Sequence, residues 1–507
     1  MNCCWAKEKY MNFATILAGV FSIIGNPVTL LWILLGTFLG LVFGALPGLS
    51  ATMGVALLIP LTFTLSPVVA IGMMLGTYIG GIAGGAVSAT LLNIPGTPSA
   101  VVTCLDGHPM AMQGKAARAL GWAAFSSGWG SIVSWILLIT ISPFLAKMCT
   151  GFGSPEYAAL AFFGLSIIAA VSGDSLIKGI IAGLFGVSLS FIGIDPIWGD
   201  LRFTFGSINL MGGISTVAAL IGLYSIPQIL NSCLDKDNEK ITGKDLTIKN
   251  IVPPFKEQWA HKLNILRSSL IGTLIGIIPA TGGNIAAFIA YDQAKRFSKD
   301  SESFGKGNPD GIIASEASNN GVCGGALIPM LTLGIPGDSV TAVLLGGLLI
   351  HGIQPGPALF ANSPILVAGI FTTILVATIF MVLLQVFGIK IFVKTLNVPV
   401  NYLNSVLVVL SLIGSYAIRG SFFDVLLTLC FGTFGYLLSK AKFPMAPIVL
   451  GLVLGCMFEG EFRRALKLGG GSAKIFLTRP IALVFILIAF AIIISTIIKS
   501  KKSRAAK

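Results

Sequence analysis

The chain has 507 residues, 55% of them hydrophobic and only 10% charged, with a mean hydropathy of +0.90. Soluble domains carry about 25% charged residues, so this balance excludes a soluble globular enzyme and leaves a multi-pass protein of the lipid bilayer. The net charge of +13 does not point to nucleic acid, because the basic residues fall in short loops and a tail, as the positive-inside rule expects of cytoplasmic segments.

Residues 1–26 form an N-terminal segment. The polar decapeptide Met1–Tyr10 precedes Met11, which makes Met11 a candidate true start, and no small-residue cleavage site follows to suggest a removable signal peptide. Apolar stretches at 27–46, 68–92, 119–146, 156–172, 176–194 and 211–231 make 27–231 a first transport repeat with its following helices. Residues 232–263 are a polar inter-repeat loop, rich in lysine (Lys236, Lys240, Lys244, Lys249, Lys256, Lys262) and therefore expected inside the cell. A second repeat and C-terminal helices occupy 264–498, with spans at 311–333, 364–388, 400–416, 423–439 and 476–498. The basic tail 499–507 follows and places the C-terminus in the cytoplasm. Segments 50–65, 94–105, 264–294, 336–352 and 446–458 are too short or too interrupted to count as full spans. The expected fold is an all-α polytopic membrane protein with about 10–12 transmembrane helices in two related repeats.

The interruptions carry the functional signal. Asn93-Ile94-Pro95-Gly96-Thr97-Pro98-Ser99 is echoed by Gly334-Ile335-Pro336-Gly337-Asp338-Ser339, and each follows a Gly-rich apolar segment: Gly81, Gly84 and Gly85 in one, Gly321, Gly324 and Gly325 in the other. Earlier breaks precede them, at Pro47-Gly48 and at Pro279 with Gly282-Gly283. An unbroken helix over 264–294 would run about 46 Å, beyond the roughly 30 Å hydrocarbon core. Pro279 removes a backbone donor and Gly282-Gly283 gives little resistance to unwinding, so a re-entrant hairpin is expected there. Paired broken helices in the two halves of a chain point to a secondary transporter's binding site.

Unwound backbone inside a membrane must be buried in protein or face a water-filled cavity. Free carbonyls beside the hydroxyls of Thr97, Ser99 and Ser339 suit Na⁺, and new helix starts present N–H groups to an anion. Gly96 and Gly337 are expected to allow close backbone approach and left-handed conformations. Asp338 replaces Thr97 in the second copy, and a carboxylate at membrane depth costs about 2.5–3.5 kcal/mol, so it is the candidate ion-coupling acid. Asn93, Asn284, Asn319 and Asn320 can hold carboxylates without competing charge. Together with Pro95, Gly96, Thr97, Ser99, Gly337 and Ser339 they form the expected substrate-binding set, and Na⁺ is expected near Thr97, Ser99, Asp338 and Ser339. Glu316 either pairs with a cation or faces a loop. The eight cysteines show no metal-ligand spacing and read as small buried hydrophobes; no cofactor is expected.

These motifs resemble the TctA family, the large membrane subunit of tripartite tricarboxylate transporters. The resemblance rests on Gly44–Gly54, on Asn93–Pro98 with Asp106-Gly107-His108-Pro109, and on Gly276–Asn284 and Glu316–Gly337; it runs from about Met11 through essentially the whole chain. It implies no enzyme but a symporter of the cell inner membrane, importing citrate-like or other organic carboxylates. It further implies a small four-helix membrane subunit and an extracytoplasmic solute-binding protein as partners. The coupling ion is Na⁺ or H⁺, with Na⁺ favoured because hydroxyls and carbonyls outnumber titratable groups near the breaks. Two other classes stay open from the residues themselves: a passive channel or membrane anchor, and an intramembrane aspartyl protease using Asp292 and Asp338. Against the protease, Pro336 stands where the first glycine of Gly-x-Gly-Asp would be.

Overall fold

The computed structural model describes residues 13–46, 49–170, 175–195, 197–232, 251–279, 282–395 and 400–505. The start at Met11, the break residues Pro47 and Gly48, and most of the inter-repeat loop lie outside them. Helix accounts for 83% of the structure, as the composition predicts. Among the described residues six helical stretches are long and apolar enough to cross a membrane.

In chain order the helices are α1 Phe13–Ile24, α2 Pro27–Ala45, α3 Ala51–Thr62, α4 Pro67–Leu92, α5 Val101–Met110, α6 Ala116–Met148, α7 Ser154–Ala170, α8 Leu176–Ser190 and α9 Thr216–Ser232. They continue with α10 Phe255–Ala260, α11 Lys262–Ile277, α12 Gly282–Phe297, α13 Pro309–Leu333, α14 Ser339–Ile350, α15 Pro357–Asn362, α16 Pro364–Phe387, α17 Ile389–Thr395 and α18 Val400–Arg419. The last four are α19 Phe422–Lys440, α20 Met445–Leu468, α21 Lys474–Thr478 and α22 Pro480–Ala505. Local chemistry sets many starts. Asn26 accepts from the Val28 and Thr29 N–H groups with Pro27 at the first helical position, Ser50 caps α3, and Asn308 with Pro309 opens α13; side-chain acceptors satisfy N–H groups that a helix start leaves free.

The chain folds into two compact units, one of Met1–Lys147 with Gln228–Leu410, the other of Met148–Pro227 with Ser411–Lys507. In the first unit α2–α3–α4–α5 and α11–α12–α13–α14 repeat one pattern: helix, break, helix, long helix, Ile-Pro-Gly link, short helix. α2 lies along α4 and α11 along α13, the most extensive helix pairs among the described residues. Both crossings use small residues every fourth position. Gly40 and Gly44 press on the Thr77 and Gly81 carbonyls, and Gly80 and Gly84 on those of Thr37 and Leu41. In the second copy Gly272 and Gly276 meet the Ser318 and Val322 carbonyls, and Gly321 and Gly325 those of Ser269 and Thr273. This is the small-xxx-small packing by which membrane helices gain contact without a hydrophobic drive. α11 and α12, each 16 residues, pack together as a hairpin whose arms reach about 24 Å.

In the second unit α20 packs on α7 and α8, and α22 on α7. Segment 446–458, expected to be too short, lies within the 24-residue helix α20. Its charged stretch Glu459–Arg464 does not end the helix, because the charges are paired. Glu459 holds Arg202 and Arg463, and Arg463 also reaches Asp195 at 2.6 Å. The partner residues come from a short antiparallel pair, β1 Gly193–Ile194 with β2 Leu201–Arg202, where the expected span 176–194 gives way to a turn. Arg463, with the Trp198 and Ile197 N–H groups, holds the Asp195 carboxyl well below the usual carboxylate range. Arg479, just before α22, lies 4.0 Å from Glu156 in the first turn of α7. The basic tail is therefore at the far end of the 26-residue α22, about 39 Å away.

Candidate functional site at the helix breaks

All four breaks of the first unit end one helix and start another within a few residues. α4 closes on Asn93 in the left-handed region, φ 57°, and α13 closes on Gly334 at φ 71°. The left-handed residues are thus three positions before Gly96 and Gly337, neither of which has positive φ. Gly96 and Gly337 serve close approach instead. A Cβ on Gly96 would collide with the Gly44 carbonyl and Ser88 Oγ, and one on Gly337 would lie 2.7 Å from the Gly276 carbonyl and 2.5 Å from Ala326 Cα. Each Ile-Pro-Gly link is pinned on the last turn of the helix preceding the other break of its own repeat. At the second early break α11 ends at Ile277, Pro279 is in a turn, and α12 starts at Gly282 with φ 68°.

The breaks then meet in crossed pairs. Thr52, in the first turn of α3, bonds Ser339 at the start of α14 (Oγ1 to Oγ, 3.1 Å). In the reciprocal pair, the α-carbon of Gly283 faces Ser99 and Asn319: a Cβ there would be 2.6 Å from Asn319 Oδ1 and 3.0 Å from Ser99 Cβ. Thr97 and Ser99 are buried and share a hydroxyl contact at 3.3 Å. Asp338 caps α14: the Thr341 N–H and hydroxyl donate to Oδ1, and the Tyr78 hydroxyl of α4 donates to Oδ2 at 2.7 Å. The second repeat's acid is therefore held by a side chain of the first.

Asn319 and Asn320 sit on α13 at 1% and 0% exposure. Both side-chain polar atoms of Asn319 lack a hydrogen-bond partner, as does Asn320 Oδ1, while Asn320 Nδ2 donates to Ser131 Oγ. Buried amides are nearly always satisfied, and Asn319, beside the start of α12, leaves both its donor and its acceptor unused. Asn93 and Asn284, by contrast, are exposed, and Pro95 is half-buried. The structure thus groups Ser99, Asn319 and Gly283 at one crossed pair of breaks, with Thr97 on Ser99, and Asp338 and Ser339 after Gly337 at the other, and leaves Asn93 and Asn284 exposed.

Two residues of this arrangement were not singled out in the sequence, Thr52 and Tyr78. Thr52 lies inside the motif Gly44–Gly54, and a tyrosine in a Gly-rich apolar helix carries a hydroxyl that needs a partner; those were the available signals. A separate cavity of about 820 Å³ opens at the other end of the α11–α12 hairpin, lined by His261, Arg267, Lys299, Lys306, Asp300 and Asp310 among others. It mixes both charge signs and lies at the opposite end of that hairpin from the break. Nearby, Asp106 ties α5 to the loop before α13: Tyr291 Oη donates to one oxygen, and the Gly305, Gly307 and Asn308 N–H groups to the other at 2.8–2.9 Å.

A bundle of broken, Gly-packed helices with buried polar groups at crossed breaks has the architecture expected of a multi-pass membrane transporter. Residues 30–450 match the family model for the tripartite tricarboxylate transporter TctA family, and the chain belongs to that family. Membership implies a tripartite transporter with other subunits. An uncharacterised 52.8 kDa protein of Agrobacterium vitis, from the TAR-I ttuC' 3' region, is 34% identical over 489 residues, covering 95% of this chain and 96% of its own. A second uncharacterised A. vitis protein, from the TAR-II ttuC' 3' region, is 34% identical over 233 residues, 46% of this chain and 96% of its own. No solved structure matches the chain.

Proposed function

We propose that this chain is the large membrane subunit of a cation-coupled importer of organic carboxylates, citrate-like or other, in the cell inner membrane with its C-terminus in the cytoplasm. It works with a small four-helix membrane subunit and an extracytoplasmic solute-binding protein. The observation that carries the reading is the unpartnered, buried Asn319 facing Ser99 and the start of α12, where breaks from both repeats meet. An amide donor and helix-start N–H groups suit a carboxylate. The hydroxyls of Thr97, Ser99, Thr52 and Ser339 with the Asp338 carboxylate supply oxygen for Na⁺. Bringing an anion into a cell that is negative inside costs about 2.3 kcal/mol per charge per 100 mV, so a co-transported cation must offset it.

The test is uptake of radiolabelled citrate and a panel of di- and tricarboxylates into proteoliposomes holding this chain, the small subunit and the binding protein. Accumulation above the external concentration under an imposed Na⁺ gradient, lost when either partner is omitted, is expected. Equilibration without accumulation would indicate a channel, and full accumulation by this chain alone would refute the partner requirement.

A further inference from the structure

We propose that Glu316 of α13 is a proton-carrying carboxyl of the transport cycle, a second coupling group distinct from the Na⁺ site suggested at the breaks. Glu316 is 0% exposed. Its oxygens are held by two hydroxyls, one from the other repeat and one from the helix that follows it: Thr103 of α5 donates to Oε1, and Ser127 of α6 donates to Oε2 at 3.0 Å. The Thr103 hydroxyl also lies 3.1 Å from Ser315 Oγ. Glu316 is in none of the ion pairs among the described residues.

Each other buried acid has at least one partner that can only donate. Asp424 has a two-pronged Arg419, Asp195 has Arg463, Glu156 has the Gly153 N–H, Asp106 has three backbone N–H groups, and half-buried Asp338 has the Thr341 N–H beside the Tyr78 and Thr341 hydroxyls. Guanidinium and N–H groups can only donate, so they fix a carboxylate in its charged form. A hydroxyl donates to a carboxylate and, after rotating, accepts from a carboxylic acid. Two hydroxyls therefore satisfy both states of Glu316 with every heavy atom in place. The step is simple: a proton from the aqueous phase forms an O–H bond on one carboxyl oxygen, and that bond breaks when the proton leaves to the opposite phase.

The placement links this proton to the substrate site. Asn320 lies four residues on, on the same face of α13, and donates to Ser131, which is four residues beyond Ser127 on α6. Asn319, beside it, is the unpartnered amide at the breaks. Thr103 follows Thr97 and Ser99 on the first repeat, so the carboxyl joins the two repeats directly.

Among the titratable groups on the elements packed against α13, Cys104 interacts electrostatically with Glu316 and donates to the Ala100 carbonyl. α5 brings Cys104, half-buried, then Asp106 in its backbone nest and His108 bonded to the Thr90 carbonyl. α4 brings Tyr78, bonded to Asp338. α6 has none between Arg118 and Lys147. α11 brings Lys262 and Arg267, the latter bonded to Asn264. α12 brings Tyr291 on Asp106, Asp292 paired with Arg296, and Lys295. α14 follows Asp338 and precedes His351, which contacts Thr62. α13 itself carries Asp310, paired with His261, and Cys323.

The inference rests on the proposed transport function, so two experiments are needed. Infrared difference spectra of the full chain in lipid, taken between about pH 5 and pH 9, the range where buried carboxyls titrate, read the proton without any substrate. A carboxylic C=O band that grows as pH falls and is missing in Glu316→Gln is expected; its absence in the wild type, or its persistence in the variant, overturns the proposal. The reconstituted complex is then tested with citrate, or the first carboxylate of the panel that wild type accumulates, at fixed Na⁺ with and without a pH gradient. Glu316→Gln is expected to lose pH-driven accumulation while exchanging labelled for unlabelled carboxylate across the membrane. Retained pH-driven accumulation, or loss of exchange as well, overturns the coupling role. Should Glu316→Gln fail to insert, Glu316→Asp keeps the acid and is expected to keep the infrared band and the pH response; loss of both overturns the proposal. Wild type failing on every carboxylate while the infrared band is present would sink the transport reading and leave the proton site standing.

Discussion

Gly337→Ala adds one methyl group at the tightest point of the second Ile-Pro-Gly link. The new Cβ would stand 2.5 Å from Ala326 Cα, 2.6 Å from Ala326 Cβ and 2.7 Å from the Gly276 carbonyl. Carbon atoms rest about 3.5–4.0 Å apart, so the link must move by about 1 Å. No rotamer relieves this, because the obstacles are backbone atoms and the first side-chain carbon of alanine. Overpacking of this kind costs about 1–3 kcal/mol, and the upper end is expected here. The displacement also moves Asp338 away from Tyr78 and Ser339 away from Thr52, so uptake should fall further than stability alone accounts for. The control is Gly460→Ala in α20, where nothing lies within 4 Å of the added carbon; helix propensity then favours alanine by up to about 1 kcal/mol. The assay is apparent melting in one detergent at one scan rate, with uptake at matched membrane abundance. Wild-type melting and uptake in Gly337→Ala would refute the close-approach reasoning, and the same result in Gly337→Leu would remove the breaks from the mechanism.

Asp338→Ala removes a helix cap and strands the Tyr78 hydroxyl, so melting should show a loss of about 2 kcal/mol or more; adding Tyr78→Phe should recover part of it, and simple additivity would refute the contact. Asp338→Asn should weaken the response of uptake to external Na⁺ more than it changes carboxylate selectivity, and an unchanged Na⁺ response would remove Asp338 from coupling. Asp106→Ala frees three N–H groups of the 305–308 loop at a cost of about 3 kcal/mol, read as faster tryptic cleavage at Lys306; an unaltered rate would show that the carboxylate does not hold the loop. Because Asp195 is held below the usual carboxylate range, its stabilising contribution is complete above about pH 4, the ordinary unfolded value, and is lost as pH falls further. Acid should therefore lower the melting temperature of wild type more than that of Asp195→Asn, and equal acid sensitivity would refute the assignment.

The breaks were legible because Pro and Gly act locally: Pro279, Gly282 and the two Ile-Pro-Gly links mark helix ends in one dimension. The all-α membrane class followed from composition, and the repeat followed from matched glycines whose packing role the structure now shows. What could not be read was pairing at long range. Thr52 meets Ser339, and Tyr78 meets Asp338, across more than half the chain, and no local pattern announces either. Glu316 was left between a cation partner and a loop; only the fold shows it enclosed by hydroxyls. α20 looked too short because its apolar run stops at Glu459, whereas pairing within the helix and with Arg202 and Asp195 from a distant turn neutralises the charges that follow. Asn93 was chosen as a ligand for its chemistry, yet its conformation at the end of α4 accounts for an asparagine there, since Asn tolerates the left-handed region better than most residues.

Contacts within each repeat and contacts between the repeats differ in what they leave free to change. Inside a repeat, glycine lets one backbone rest on another, as Gly44 does on Gly81 and Gly276 on Val322, and such a seam has no alternative register without a clash. Between repeats, the joints at Thr52–Ser339 and at Thr103 and Ser127 on Glu316 are hydroxyl bonds, and glycine seams lie beside them, with Gly130 against the Ala317 carbonyl and Gly283 against Ser99. Shear along a glycine seam is blocked, whereas a hydroxyl can turn from donor to acceptor without moving its heavy atom. Where the two copies touch, the backbones are locked and the hydroxyl protons are what can change.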